Sequence, residues 1–285
     1  MHISIAAETL FHIGAFPVTN SMLMAWIVVI FLSVTVFFVS RNPKKVPGRL
    51  QALMELILEK FVDFMQVFTG DRALVKKYLP IVGTIFFFVL FSNWAGILPG
   101  VGTIGFYEKH EEEAVKEVVD IEGVEGNPAS PSEVHEAEAP TSETAEHENA
   151  PLVPFFRSGF ADLNMTLALA LIVVISTHII GFVSIGVSHH IGKFLQNPFK
   201  KPIGAFIGFL ELIGEVSRVV SFSFRLFGNL FAGEVLLMII SSLVPYFIPI
   251  PFLGLEVFVG FVQALIFSTL AMTFIAASTQ HHEEH

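Results

Sequence analysis

Ser221-Phe-Ser-Phe-Arg225-Leu-Phe-Gly-Asn229-Leu-Phe-Ala-Gly-Glu234 puts one arginine in the middle of a long apolar run, with an asparagine one turn further on. The run extends from Ile203 to Val244, and Glu211, Glu215, Arg218, Arg225, Asn229 and Glu234 are its strongly polar members. A charged side chain at the centre of a bilayer costs roughly 3 kcal/mol or more, so an arginine there marks a functional site by default. Lys and Arg near helix ends reach the headgroups through their aliphatic stems. Arg225 has apolar sequence far in both directions and lacks that escape. No proline interrupts the run before Pro245. At 1.5 Å per residue such a helix measures roughly 60 Å, twice the hydrocarbon thickness, so it must tilt steeply or break. Pro245, Pro249 and Pro251 are expected to make the turn into a last apolar helix, Phe252 to Ser278, which carries Glu256 and Gln263.

The composition places this run in a multi-span membrane protein. Of 285 residues 53% are hydrophobic and 31 are Phe, and the mean hydropathy is +0.68. That profile excludes an ordinary globular enzyme. The absence of Cys excludes a disulfide framework, a thiolate nucleophile and a Cys-based metal site. The net charge of -10 is local. Residues 107–150 hold 14 of the 26 acids and 2 of the 16 bases, leaving 12 acids against 14 bases elsewhere.

The expected fold class is therefore all-α integral membrane, with five hydrophobic helices and one surface helix, the last two spans long and strongly tilted. Residues 1–20 form a short extracytoplasmic N-terminus without the basic n-region of a secretory signal, so the first apolar run reads as a retained span. Residues 21–106 hold two spans, Ser21–Ser40 and about Leu79–Leu98, the second preceded by Lys76 and Lys77 and closed near Trp94, which suits an interfacial belt. Between them residues 50–68 alternate charge with Leu53, Leu56, Ile57, Phe61, Phe64 and Phe68 at helical spacing. This is an amphipathic helix for the cytoplasmic membrane surface or a partner. Residues 107–150 are too poor in large apolar groups to offset chain entropy, and a disordered extracytoplasmic loop is expected. Residues 151–285 carry the third span, about Leu163 to Val187, and the tilted hairpin. Asp162 or Asn164 is placed to cap that span, and His178 is its ionisable interior residue, suited to packing or to carrying a proton. The basic loops at Arg41–Arg49 and Lys193–Lys201 both fall inside by the positive-inside rule, with the N-terminus outside and the tail His281–His285 cytoplasmic.

At about 100° per residue, Glu211, Arg218, Ser221, Arg225 and Asn229 share a broad stripe, whereas Glu234 falls on the opposite face and roughly 13 Å further along. Glu256 and Gln263 share a face of the last helix. Polar groups thus occupy two depths with the arginine between them. Two offset half-pathways fit this better than one pore, which would leak. A fixed cation between them favours proton loss from a carboxyl brought alongside. Asn229 and Gln263 can orient the guanidinium without charge, or simply tie helices together. Glu215 and Arg218 read as a pair near the cytoplasmic interface.

Arg225-Leu-Phe-Gly-Asn229 with Ala232-Gly-Glu234 resembles the arginine helix of subunit a of the F-type, proton-translocating ATP synthase. So do Ala161-Asp-Leu-Asn-Met-Thr-Leu-Ala-Leu, Phe209-Leu-Glu211, Gln263-Ala-Leu-Ile-Phe and the tail ending Glu-Glu-His. The resemblance covers nearly the whole chain except the acidic segment. It implies a proton-channel stator in a bacterial plasma membrane, facing a rotating c-ring and held with peripheral stalk subunit b and the other synthase subunits. Arg225 would separate two half-channels and deprotonate the ring carboxyl. Glu211, Asn229, Glu234, Glu256 and Gln263 match positions tied to proton passage, with Ser221, His178 and Asp162 as further candidates. No cofactor and no nucleic acid are implied, and no nucleotide-binding Gly-rich loop occurs. Familiar bacterial members carry histidine where this chain has Glu256, so a histidine relay does not transfer. A sodium-driven version of the same motor, a secondary transporter using Arg225 for an anionic substrate, and a hydrolase built on Ser188, His189 and His190 or on the His281–His285 tail are the rival readings.

Overall fold

The computed structural model describes residues 7–14, 16–41, 48–98, 100–102, 104–107, 152–187, 192, 202–244 and 247–279. The acidic segment from residue 108 onward, the Ser188–His190 motif, Lys193–Lys201 and the C-terminal histidines lie outside them. Five helices are long and apolar enough to cross a membrane. The fold is that of an all-α membrane protein.

The chain opens with a hairpin of β1 (Thr9–Ile13) and β2 (Phe16–Thr19), where no regular structure was expected. It leads into α1 (Asn20–Ser40), capped by Thr19 Oγ1, which accepts from the Met22 N–H at 3.3 Å. The surface helix is α2 (Arg49–Thr69), ended by Gly70 in the left-handed region at φ 71°, where glycine carries no Cβ penalty. Asp71 then caps α3 (Arg72–Gly96). This cap starts the helix two turns before the apolar stretch, so Lys76 and Lys77 lie inside α3 rather than ahead of a span beginning at Leu79. A second hairpin, β3 (Gly105–Tyr107) with β4 (Leu152–Pro154), and a 3-10 turn at Gly159–Ala161 lead to α4 (Leu163–Ile185).

The last two helices are α5 (Pro202–Leu243) and α6 (Pro249–Thr279). With 42 residues, α5 is continuous, so of the two expected outcomes it tilts rather than breaks. Pro249 and Pro251 do not make the reversal. They lie in the first turn of α6, where the missing N–H has no intrahelical acceptor to lose. Pro245, the third proline expected at the reversal, lies outside the described residues.

α3 is the central post, packed against α1, α2 and α6, while α4 lies across α5 and α6. Phenylalanines interlock these layers: Phe61 meets Phe86 at 4.7 Å between ring centroids, and Phe222 meets Phe267 at 4.7 Å. On α2, Phe61, Val62 and Met65 are buried whereas Leu53, Leu56, Phe64 and Phe68 stay exposed. Its apolar residues therefore divide between the bundle and the outside. Trp94, suited by sequence to an interfacial belt, donates its indole N–H to the Val257 carbonyl at 3.1 Å. Asn93 beside it donates to the Gly260 carbonyl at 3.0 Å.

Both hairpins, the starts of α1 and α4 and the reversal into α6 share one end of the bundle, called the hairpin end below. At the opposite, tail end, Thr69, Asp71, Lys77, Tyr78, Ser184 and Thr279 line an open crevice of about 530 Å³.

The clasp of α3 on α6 depends on Gly260, where a Cβ would stand 3.0 Å from that of Asn93. Gly260→Val should cost about 1–3 kcal/mol through overpacking, read as a lower thermal midpoint of the detergent-solubilised protein. A midpoint equal to wild type would show that the two helices give way freely.

Candidate functional site

The buried face of α5 is set by Phe222, Leu226 and Leu230, which recur every four residues and are all nearly inaccessible. That spacing turns Ser221, Phe224, Gly228, Asn229 and Ala232 to the exposed side, with Arg225 half-buried at the border. A Cβ on Gly228 would meet no atom within 4 Å. The arginine thus stands beside a stripe of small residues that nothing else in the described chain covers. Its guanidinium makes no hydrogen bond or ion pair with any described residue.

One turn toward the hairpin end, Asn229 Nδ2 donates to Gln263 Oε1 at 2.8 Å. Gln263 is buried, and its own Nε2 lacks a partner among the described residues. An orphaned buried donor is costly, about 1–3 kcal/mol, and is common where a ligand or partner group completes the bond.

Nearer the hairpin end, Glu234 of α5 and Glu256 of α6 come together. Gly233 makes the space, since a Cβ there would lie 2.7 Å from Glu256 Oε1. Each carboxyl has one buried oxygen, Oε2, with no hydrogen-bond partner among the described residues. The Arg157 Nε lies 3.7 Å from Glu234 Oε1 and its side chain is 8% exposed. The sequence reading missed Arg157. Its signal was there: a lone arginine beside the third span, on the side that the sequence reading expects to be outside and poor in base. Such a residue is more easily explained by a buried acid than by a free loop.

Toward the tail end, Glu215 Oε1 accepts from the Arg218 guanidinium at 2.5 Å, the pair expected from the sequence. Its Oε2 lies 3.4 Å from His178 Nε2 on α4, and Arg218 stacks 4.2 Å over the Phe274 ring of α6. Glu211 is half-exposed one turn further on, with no hydrogen bond or ion pair to a described residue.

Asp162 belongs to none of these groups. It is buried, caps α4 by accepting from the Asn164 N–H at 3.0 Å, and accepts from Ser21 Oγ at 3.0 Å. Its contacts are a helix cap and a tie between α1 and α4. Asn164 itself is exposed.

The arrangement brings Asn229 to Gln263 and Glu234 to Glu256, and leaves Arg225 between that polar column and the tail-end cluster. A fixed cation with titratable groups on either side of it along one helix can pass protons in two separate steps and bar a continuous run.

The ATP synthase A chain family model matches residues 22–276. The chain is 27% identical to ATP synthase subunit a of Moorella thermoacetica over 274 residues, covering 96% of each protein. It is 30% identical to the chloroplastic ATP synthase subunit a of Bigelowiella natans over 284 residues, covering 98% of this chain and 94% of that one. A third relative, ATP synthase subunit a of Geotalea daltonii, is 27% identical over 264 residues, 92% of this chain and 88% of its own.

Two variants separate cap from site. Asp162→Ala should lose about 1 kcal/mol of stability, whereas Asp162→Asn keeps the cap and most of the thermal midpoint; equal losses in both would contradict a capping role. Arg157→Ala should destabilise by about 1–3 kcal/mol by leaving a buried carboxyl without its cation. Adding Glu234→Gln should recover part of that loss, and strict additivity of the two changes would show that they do not interact.

Proposed function

Since the chain belongs to the ATP synthase A chain family, we propose that it is the stationary membrane subunit through which protons reach and leave a rotating ring of carboxyl-bearing hairpins. In this reading it conducts protons and catalyses no reaction alone; ATP is made or hydrolysed by other subunits of the synthase. Its partners are that c-ring, peripheral stalk subunit b and the surrounding lipid of a bacterial plasma membrane, with the hairpin end extracytoplasmic and the C-terminus cytoplasmic. The family assignment replaces the anionic-substrate transporter as the framework.

What supports the reading is the bare face around Arg225. A guanidinium held within the membrane region without a carboxylate among the described residues needs a partner from elsewhere, because an unpaired charge there is costly. A passing ring carboxyl supplies that partner once per step, and the small residues Ser221, Gly228 and Ala232 admit a helix at close range. The positive charge favours the ionised ring carboxyl, so the proton leaves as the carboxyl arrives. Asn229, tied to Gln263, holds the neighbouring turn.

Glu234 and Glu256 form the proton-accepting pair of the hairpin-end half-path, with Arg157 limiting how much negative charge they present. Glu211 serves the tail-end half-path. Each transfer moves one proton between oxygen atoms and requires no cofactor. The field does the rest: one charge crossing the membrane gains about 2.3 kcal/mol per 100 mV, so several protons must pass for each ATP.

The deciding experiment is ATP-driven acidification of inverted vesicles carrying the whole complex. Arg225→Ala should lower it on the order of a hundredfold while the complex still assembles, and acidification in wild type should proceed without sodium. Full coupling in the assembled Arg225→Ala complex would remove Arg225 from the mechanism; acidification that follows added sodium would assign the motor to that ion.

A further inference from the structure

The tail-end cluster holds more than the proposed path uses. Glu215 and Arg218 neutralise each other on α5, and the Arg218 guanidinium lies over the Phe274 ring of α6. Arg stays protonated at any relevant pH. This pair is complete by itself, yet the second oxygen of Glu215 is turned to His178 of α4 at 3.4 Å. The imidazole is surplus to the neutralisation of the acid.

Its ring nitrogens can take up a proton and give it back. The surrounding elements offer few competitors. α4 carries no other charged residue, and α6 carries none between Ala264 and Thr279. α5 contributes Glu211, Glu215 and Arg218, and α3 contributes Lys76, Lys77 and Tyr78 at the tail end. Along α5, the cluster lies roughly 15 Å from Arg225 toward the tail end, and Glu211 lies roughly 6 Å beyond Glu215. Its side chains are partly accessible, 26% for His178 and 33% for Arg218. The group therefore occupies the interval that a proton released at Arg225 has to cross.

Resting on the stator reading above, we infer that His178, held on Glu215, is a proton-carrying residue of the tail-side half-path, in series with Glu211. A proton arriving from the Arg225 side breaks an O–H bond of hydrated proton and forms an N–H bond on the imidazole. Release to water at the tail end reverses the exchange, and no electrons change hands. Glu215 neither takes nor gives the proton in this exchange. Its role is positioning: Arg218 fixes the carboxylate, and the carboxylate stabilises the imidazolium while it lasts. A neutral cluster thus becomes singly positive and returns to neutral once per proton.

The test is passive proton flux through membranes bearing the complex stripped of its catalytic head, recorded as a function of pH. His178→Gln keeps a hydrogen-bonding group beside Glu215 but cannot titrate. It should lower flux about tenfold or more and erase an inflection in the pH profile of wild type. Glu215→Gln keeps an acceptor for Arg218 and should displace that inflection. Wild-type flux and profile in both assembled variants, or a wild-type profile without an inflection, would overturn the inference and leave the cluster as a tie between helices. If His178→Gln does not assemble, Glu215→Gln decides alone, and an undisplaced inflection overturns the inference. An Arg225→Ala control keeps the two levels apart. Read with the head retained, as ATP-driven acidification, coupling that survives in that control sinks the stator reading itself, whereas an uncoupled control beside an unchanged His178→Gln sinks only the relay.

Discussion

A 42-residue helix cannot stand upright in a layer about 30 Å thick, and α5 does not break. It has to cross obliquely, and its neighbours are arranged around that obliquity. α4, with 23 residues, is close to the bilayer thickness. It meets α5 where Thr166 faces Ser223 at 3.0 Å and again where His178 faces Glu215. α6 takes over along the rest, from Phe274 beside Arg218 to Glu256 beside Gly233. Two helices thus cover two sides of α5, and the third side, with Arg225 on its border, stays bare.

The same geometry accounts for how charge is handled. Low dielectric makes every buried ionic group dependent on its neighbours. Glu215 has Arg218 and His178; Glu234 has Arg157; Asp162 has a helix N-terminus and the Ser21 hydroxyl. Arg225 differs in having no such contact among the described residues. The orphaned Gln263 Nε2 and the carboxyl oxygens of Glu234 and Glu256 differ in the same way. These three line the α5–α6 seam, whereas the other orphaned buried atoms, among them Ser92 Oγ and Asn93 Oδ1 of α3 and Ser158 Oγ, lie away from the bare face.

Close approach is what lets so few polar residues reach one another. Hydrophobic burial does not drive helices together in lipid, so close packing and side-chain hydrogen bonds between helices carry the association. Gly260 admits Asn93 and Trp94 of α3, Gly233 admits the Glu256 carboxyl, and Gly96 lies so near Ser158 that a Cβ would stand 2.7 Å from its hydroxyl. The phenylalanines fill the space between these points, with their rings mostly edge to face.

The sequence by itself determined the helix inventory and the depth order of the polar residues. Apolar run length against bilayer thickness is a one-dimensional comparison, and so is the spacing of Arg225, Asn229 and Glu234 along one helix. It also carried the Glu215–Arg218 pair, because three residues along a helix is a local distance. What it could not carry was anything that depends on a second element. The start of α3 at the Asp71 cap, the place of Pro249 and Pro251 inside α6, and the two hairpins turn on backbone hydrogen bonds that hydropathy does not register. Arg157 finding Glu234 across 77 residues, His178 finding Glu215 across 37, and the Ser21 hydroxyl finding Asp162 across 141 were decided by tertiary structure alone. The physical reason is common to all three. In a medium without water, a polar group's role is fixed by whichever group the packing brings within about 4 Å, and that neighbour belongs to the fold rather than to the residue.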